Sequence, residues 1–308
     1  MMIFFVAAIG FSSCKKVVNE TIIDEEPIVT TTGGCMDVNA QNYNSSATQD
    51  DGSCVFLASS TPQKRKAVLE EFTGVRCTFC PDGHRKAQTL ADANPGKVVL
   101  INVHTGSYAT PQTGWPDFTT PLGASIATIS NLTGYPAGQM NRFGYTGAAG
   151  ASPYYPQAAG KLAISRSGFS AAGLHQFTLD APVNVGLKSV FDVASRLLTV
   201  KAELYYTGEE TGDNLLNIFF LESNIIGKQI DAGVTNASYV HRHMLRAKIT
   251  PDDWGTVIPD PSIGQRISQT YTYTVPNTFV IENCDVAAFV TRLDKKTILN
   301  GAEVKAKN

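Results

Sequence analysis

The stretch that decides the fold is VLEEFTGVRCTFCP, which occupies residues 68–81. Its apolar first half predicts a buried strand that ends at Gly74, and the apolar spacing of residues 87–91 predicts a helix after it. A Cys-x-x-Cys pair, Cys77 and Cys80, lies at the junction of strand and helix. Free amide groups at a helix N-terminus favour a thiolate, so Cys77 is predicted to be the nucleophile and Cys80 the resolving thiol.

Two later segments extend this unit. Residues 97–103, KVVLINV, read as a second buried parallel strand, which completes a β-α-β unit. Pro136 follows a helical stretch and precedes a strand predicted over residues 137–143. This order resembles the thioredoxin fold, in which a cis-proline before a strand packs against the redox pair. The resemblance implies that Pro136 is that proline, and that Glu71, six residues before the first cysteine, is a buried acid that accepts the proton of the resolving thiol.

Four segments carry a closer resemblance. They are VLEEFTGVRCTFCPDG from residue 68, GYPAGQMNR from residue 134, YVHRHMLRA from residue 239 and VAAFV from residue 286. Together they are similar to the twenty-eight-kilodalton outer-membrane-protein family, a group of outer-membrane lipoproteins with a thioredoxin-like domain. The similarity runs from Lys64 to the carboxyl terminus. It implies the architecture of the chain and two functions, redox chemistry and surface adhesion.

The amino terminus predicts export and a lipid anchor. Residues 1–13 carry no charge, and the apolar run within them is too short to cross about 30 Å of hydrocarbon, so it is typical of a signal peptide. Two serines precede Cys14, an arrangement that resembles a lipobox, after which the cysteine becomes the acylated first residue. The alternative is an ordinary cleaved signal with an incidental cysteine. We expect a lipid-anchored protein of the outer membrane, on its periplasmic or its cell-surface face, with residues 14–33 as a tether.

Residues 34–56 predict a small module closed by a disulfide between Cys35 and Cys54. The segment has few apolar residues, and in an oxidising compartment a disulfide across a loop of this size restricts the unfolded chain by about 3 kcal/mol. Its Asp and Asn side chains suit either a calcium site or turns in which the side chain bonds nearby backbone, and turns are favoured. These side chains are Asp37, Asn39, Asn44, Asp50 and Asp51.

The histidines and Cys284 belong to no motif. His84 lies on the predicted helix, where it either tunes the thiolate or, as we expect, faces solvent. His104 ends the second strand and either faces the redox pair or has the structural role that is favoured. His241 and His243 alternate along a predicted strand and therefore share one face, which is either a metal site or, as we expect, an exposed polar surface. Cys284 precedes an apolar strand and is predicted to lie in the core.

The pattern becomes strand-rich after residue 176. Apolar and polar residues alternate over residues 198–204, and residues 269–275 and 284–292 read as further strands. We therefore predict an α/β plus all-β chain, in which a thioredoxin-like domain is followed by an antiparallel β-sandwich. The predicted segments are a signal peptide at 1–13, a tether at 14–33, the disulfide-closed module at 34–56, the thioredoxin-like domain at 64–167 and the β-sandwich at 172–308.

Composition and motifs narrow the function. The 25 Lys and Arg residues against 27 Asp and Glu give a net charge of −2, which excludes the basic surface typical of nucleic-acid binding. No cofactor or metal is predicted. The leading hypothesis is a thiol–disulfide oxidoreductase that acts on protein thiols or disulfides through Cys77 and Cys80. The alternative is a non-catalytic adhesion lipoprotein that binds an unknown surface ligand, in which the pair is a structural disulfide.

Overall fold

The computed structural model of the chain describes residues 31–146, 155–156, 162–252, 254–294 and 297–307. The predicted signal peptide, Cys14 and nearly all of the tether lie outside these residues. Within the described ranges, no helix is both long enough and apolar enough to span a bilayer.

The fold has few helices and many strands. The helices are α1 Cys80–Ala93, α2 Pro121–Ser130 and α3 Phe169–Gln176. The strands, in chain order, are β1 Gly33–Gly34, β2 Gln49–Asp50, β3 Ala67–Thr73, β4 Val98–His104, β5 Ala137–Met140, β6 Tyr145–Thr146, β7 Tyr155–Pro156, β8 Ile164–Ser165, β9 Val183–Asp192, β10 Leu197–Tyr206, β11 Asn214–Glu222, β12 Ile225–Asp231, β13 Val234–His241, β14 Met244–Lys248, β15 Thr256–Ile258, β16 Arg266–Thr274, β17 Cys284–Arg292 and β18 Ile298–Lys305.

A nine-stranded mixed sheet forms the centre of the fold. Its strands run in the order β18-β17-β11-β14-β4-β3-β5-β8, and β15 pairs with β11 beside this path. β3 and β4 are parallel, with Ala67 opposite Val98 and Thr73 opposite His104. Every residue of β3 is buried, which is typical of a parallel strand covered on both faces. The β-α-β unit expected from the sequence is therefore present as β3, α1 and β4.

The central sheet joins the two segments that were predicted as separate domains. β14, from the carboxyl-terminal half, runs parallel to β4 and pairs with it at Asn102. The backbone N–H of Asn102 donates to the His243 carbonyl over 2.7 Å, and its side-chain amide donates to the Arg242 carbonyl over 2.8 Å. Strands from residues 64–167 and 172–308 thus share one hydrogen-bonded sheet.

A three-stranded antiparallel sheet, β16-β10-β9, packs over the part of the central sheet that contains β11 and β17. The even-numbered residues 198–204 of β10 are apolar and fully buried in the core between the two layers. Glu203, on the opposite face of β10, is also fully buried, and it forms an ion pair with Arg266. Cys284 lies in the same core as a free thiol. The antiparallel, strand-rich structure predicted for this half is confirmed, although one of its layers belongs to the central sheet.

The helices pack on opposite faces of the central sheet. α1 and α3 cover one face, where Leu69 and Leu100 lie in the core. α2 covers the other face, where Ile126 packs into a core that contains Ile101 of β4 and Phe219 of β11. Strands from both halves of the chain therefore share apolar contacts as well as hydrogen bonds.

A buried ion pair follows β5. Arg142 donates to Glu70 over 2.6 Å, and both side chains are fully buried. Gln139 donates to the second carboxylate oxygen over 2.6 Å. The guanidinium lies 5.6 Å from the ring centroid of Trp254 and 5.3 Å from that of Phe289. Because each partner compensates the buried charge of the other, removal of either one alone is strongly unfavourable.

The amino-terminal module is closed by a disulfide between Cys35 and Cys54. It packs on the three-stranded sheet, where Lys201 donates to the Asn39 carbonyl over 2.6 Å. Its acidic and amide side chains accept backbone N–H groups two residues later, which is the turn chemistry that the sequence favours. The side chains that do so are Asp37, Asn44, Asp50 and Asp51.

Candidate functional site

A disulfide between Cys77 and Cys80 lies at the junction of β3 and α1, with Cα atoms 5.4 Å apart. The prediction that Cys77 stands at the start of the helix is wrong, because α1 begins at Cys80. Cys77 instead lies in a turn, in which its backbone N–H donates to the Gly74 carbonyl over 3.0 Å. Pro81 occupies the first turn of α1, where its missing N–H removes no helical hydrogen bond.

Access to the disulfide is narrow. Cys77 is only 3% exposed and Cys80 is fully buried, whereas Phe79 between them is 58% exposed. Arg166 lies over the Phe79 ring at 5.6 Å. The sulfur atoms therefore lie just beneath the surface that Phe79 presents.

Pro136 lies against the first turn of α1. It follows a cis peptide bond from Tyr135 and directly precedes β5, which is antiparallel to β3. A Cβ atom placed on Gly83 would lie 3.1 Å from the Cβ of Pro136. The cis-proline expected from the resemblance is thus found one helical turn from Cys80.

Glu71 is buried without a compensating contact. It is 1% exposed, and neither carboxyl oxygen has a hydrogen-bond partner among the described residues. Burial raises the pKa of Glu71 well above its usual value of 4.5. A Cβ atom on Gly83 would lie 2.3 Å from Glu71 Oε1, so a larger residue at this position of α1 would displace the carboxyl group. The carboxyl group therefore lies directly beneath the helical turn that begins at the second cysteine.

A hairpin formed by β12 and β13 lies over the turn that contains Cys77. Four hydrogen bonds join the hairpin to this turn. They run from Gln229 Nε2 to the carbonyls of Gly74 and Cys77, at 3.2 Å each, from Ile230 N to the Val75 carbonyl at 2.9 Å, and from Ala232 N to the Thr78 carbonyl at 3.0 Å. Sequence reasoning missed this contact because the partners are more than 150 positions apart and no local pattern connects them.

His84 is held between two partners, so the prediction that it faces solvent is wrong. Its Nε2 lies 2.9 Å from Thr73 Oγ1, and its Nδ1 lies 2.7 Å from the Tyr239 hydroxyl. Burial lowers the pKa of His84 to about 3, so the neutral ring donates at one nitrogen and accepts at the other. Because Tyr239 belongs to β13, His84 connects α1 to the hairpin.

His104 and His241 lie in a buried aromatic cluster. The ring centroid of His104 is 5.1 Å from that of Phe118 and 6.0 Å from that of His241. Burial lowers the pKa of His241 to about 4. The exposed strand face predicted for His241 and His243 is wrong, because His241 is buried and β13 ends there. In the described part of the chain, no three His, Cys, Asp or Glu side chains are placed to hold a metal ion.

A cavity of about 510 Å³ lies between α1 and β13. Glu71 and His84 line it from one side, and Tyr239 and His243 line it from the other. The buried acid therefore borders a space that is large and polar enough for water or a small ligand.

Comparison with known proteins identifies relatives of the chain. The family model described as outer membrane protein Omp28 matches residues 124–308, and no curated protein matches. HBP35 of Porphyromonas gingivalis has a similar fold, with a TM-score of 0.61 and 18% sequence identity over 79% of this chain and 76% of its own. A domain of the outer membrane lipoprotein Omp28 from Porphyromonas gingivalis is 20% identical over 41% of this chain and 89% of its own, with a TM-score of 0.29.

The family match covers more than half of the chain and begins after the Cys77–Cys80 pair. The chain therefore belongs to the Omp28 family of outer membrane proteins, which confirms the outer-membrane localisation predicted from its sequence.

Proposed function

We propose that the protein is a lipid-anchored thiol–disulfide oxidoreductase of the outer membrane, whose redox centre is the Cys77–Cys80 pair of a thioredoxin-like domain. The β3-α1-β4 unit, the antiparallel β5 and the cis Tyr135–Pro136 bond support this fold. The uncharged apolar segment before Cys14 and the family of the chain support a lipid anchor at that cysteine. The carboxyl-terminal strands, residues 172–308, then form a sandwich domain that shares a sheet with the redox domain.

The buried carboxyl group of Glu71 is the observation that carries the redox function. Its two oxygens have no hydrogen-bond partner among the described protein atoms, and burial raises its pKa, so Glu71 keeps a proton at a pH where an exposed glutamate has lost it. A disulfide that only stabilises a turn does not need a buried carboxyl group beside it, whereas thiol exchange needs a group that transfers a proton. Ionisable side chains kept in unfavourable surroundings next to a reactive pair are typical of functional sites.

The oxidised pair accepts two electrons from a substrate dithiol. A substrate thiolate attacks Cys77 Sγ, the bond between the two protein sulfurs breaks, and Cys80 leaves as a thiolate that takes a proton from Glu71. The second substrate thiolate then attacks the mixed disulfide and releases the Cys77 thiolate. The substrate leaves as a disulfide, and the protein pair is reduced. In the opposite direction, the Cys77 thiolate attacks a substrate disulfide, and Glu71 accepts the proton of Cys80 as it resolves the intermediate. Pro136 holds the segment that leads into β5 against the first turn of α1.

The alternative function is non-catalytic surface binding or adhesion, with Cys77 and Cys80 joined in a structural disulfide. The 3% exposure of Cys77 favours it, because a thiol must reach a sulfur atom before exchange can begin. The partner in that case is a surface ligand rather than a protein thiol.

Trapping of a mixed disulfide separates the two functions. The full chain in detergent, reduced and then mixed with a disulfide-containing protein, should form a persistent mixed disulfide through Cys77 when it carries Cys80→Ser. The Cys77→Ser variant is the matched control and should trap none. Glu71→Gln should slow resolution by at least about 100-fold, since it removes the proton acceptor. Wild-type exchange no faster than that of Cys77→Ser would establish the structural role.

A further inference from the structure

The hairpin of residues 225–241, here called the cap hairpin, packs through its base, where Ile225 and His241 contact the cluster around Phe118. Its strands form a separate two-stranded sheet. Ile226 and Val234 are each 70% exposed, whereas Gln229 is fully buried against the turn of Cys77. Besides the four hydrogen bonds to that turn, Asp231 pairs with Arg85 over 3.1 Å and Tyr239 with His84 over 2.7 Å. Because polar contacts to the turn of Cys77 and to α1 hold the tip of the cap hairpin, the tip can move away from the turn while the base stays packed.

The contacts of the cap hairpin are those of a peptide bound in place of a substrate. The N–H group of Ile230 belongs to β12, and that of Ala232 belongs to the turn after it, where φ is +50°. Their acceptors, the carbonyls of Val75 and Thr78, flank Cys77. An incoming peptide also offers backbone N–H groups and can replace these bonds. A small thiol offers none.

We propose that the cap hairpin is an autoinhibitory and specificity-determining element, which blocks Cys77 until a cysteine-containing polypeptide displaces it. Gln229 is its positioning residue, because its amide binds the carbonyls of Gly74 and Cys77. The proposal rests on the proposed thiol exchange and adds the class of substrate: a polypeptide segment rather than a small thiol.

The rate at which dithiothreitol reduces the Cys77–Cys80 disulfide measures how far the cap hairpin blocks access to it. The oxidised full chain is mixed with excess dithiothreitol, quenched with acid, alkylated and analysed by peptide mass spectrometry. Gln229→Leu removes the donors to the turn, and Tyr239→Phe removes the hydroxyl that binds His84. Thr235→Ala, on the exposed side of the cap hairpin, is the matched control. The Cys35–Cys54 disulfide provides an internal reference in every sample.

We expect Gln229→Leu to speed reduction of the Cys77–Cys80 disulfide about tenfold, as the loss of two hydrogen bonds predicts, and Tyr239→Phe to speed it by about threefold. Thr235→Ala and the reference disulfide should keep wild-type rates. Wild-type rates in both cap variants would overturn the proposal. If circular dichroism shows that Gln229→Leu does not fold, the reduction rate of Tyr239→Phe alone tests the proposal.

A second measurement tests the substrate class. A peptide that contains two thiols should reduce the wild-type disulfide faster than dithiothreitol does at equal thiolate concentration. In Gln229→Leu, the ratio of the rate with the peptide to the rate with dithiothreitol should be smaller. An unchanged ratio would overturn the peptide specificity. Because dithiothreitol reduces the disulfide whether or not the protein is an enzyme, faster reduction in the cap variants without mixed-disulfide trapping would retain the cap and reject the oxidoreductase. Trapping of a mixed disulfide, together with equal reduction rates in wild type and the cap variants, would retain the oxidoreductase and reject the cap.

Discussion

Replacement of Glu71 by Gln should change how the stability of the chain depends on pH. Burial raises the pKa of Glu71 in the folded chain well above 4.5, whereas the unfolded chain ionises near 4.5. Above that pH the unfolded state loses a proton that the folded state retains. Wild-type stability therefore falls by about 1.4 kcal/mol per pH unit until the pH reaches the folded pKa. Gln does not ionise, so the variant lacks this loss.

Urea unfolding of the oxidised chain gives the measurement. The free energy of unfolding of Glu71→Gln minus that of wild type should increase as the pH rises above about 5, by about 1.4 kcal/mol per pH unit until the folded pKa of Glu71 is reached. Glu209→Gln, at an exposed glutamate, is the matched control and should remain parallel to wild type. If the free energy of unfolding of Glu71→Gln and that of wild type change with pH in parallel, the reasoning is refuted, because Glu71 then ionises in the folded chain as it does in the unfolded chain.

Three further predictions concern packing in the site and elsewhere in the chain. Gly83→Ala places a Cβ 2.3 Å from Glu71 Oε1 and should lower the free energy of unfolding by about 1–3 kcal/mol, measured by urea titration. Arg142→Met leaves Glu70 buried without its cation and should cost about 3–5 kcal/mol in the same assay, whereas a second substitution, Glu70→Leu, should restore much of the loss. Cys54→Ala opens the disulfide of the amino-terminal module and should destabilise that module by about 3 kcal/mol in hydrogen exchange, without changing the reduction rate of the redox pair.

The sequence predicts the positions of side chains best where their contacts are local. Cys77 and Cys80 are linked by their own spacing, and Glu71 lies on the strand that leads to them. Pro136 is distant in sequence, but its position before a strand is a recognisable pattern. Each of these predictions depends on residues within one β-α-β unit or on the strand beside it.

The cap hairpin could not be predicted in this way. Gln229 binds a carbonyl 155 positions away, and β12 is only partly buried, so it lacks the apolar alternation that marks a core strand. His84 was assigned to solvent for the same reason, because its partner Tyr239 is also 155 positions away. The start of α1 was misplaced because no capping side chain marks it: the N-cap residue is Phe79, which makes no side-chain cap hydrogen bond.

The number of residues between the turn of Cys77 and the cap hairpin has a consequence for maturation. Cys77 precedes Gln229 by 152 residues, and β14, the neighbour of β4, comes later still. If the amino terminus crosses the inner membrane first, the two cysteines enter an oxidising compartment well before the segment that shields them. We therefore expect their bond to form while the turn is open, so that docking of the cap hairpin encloses a sulfur bridge that already exists.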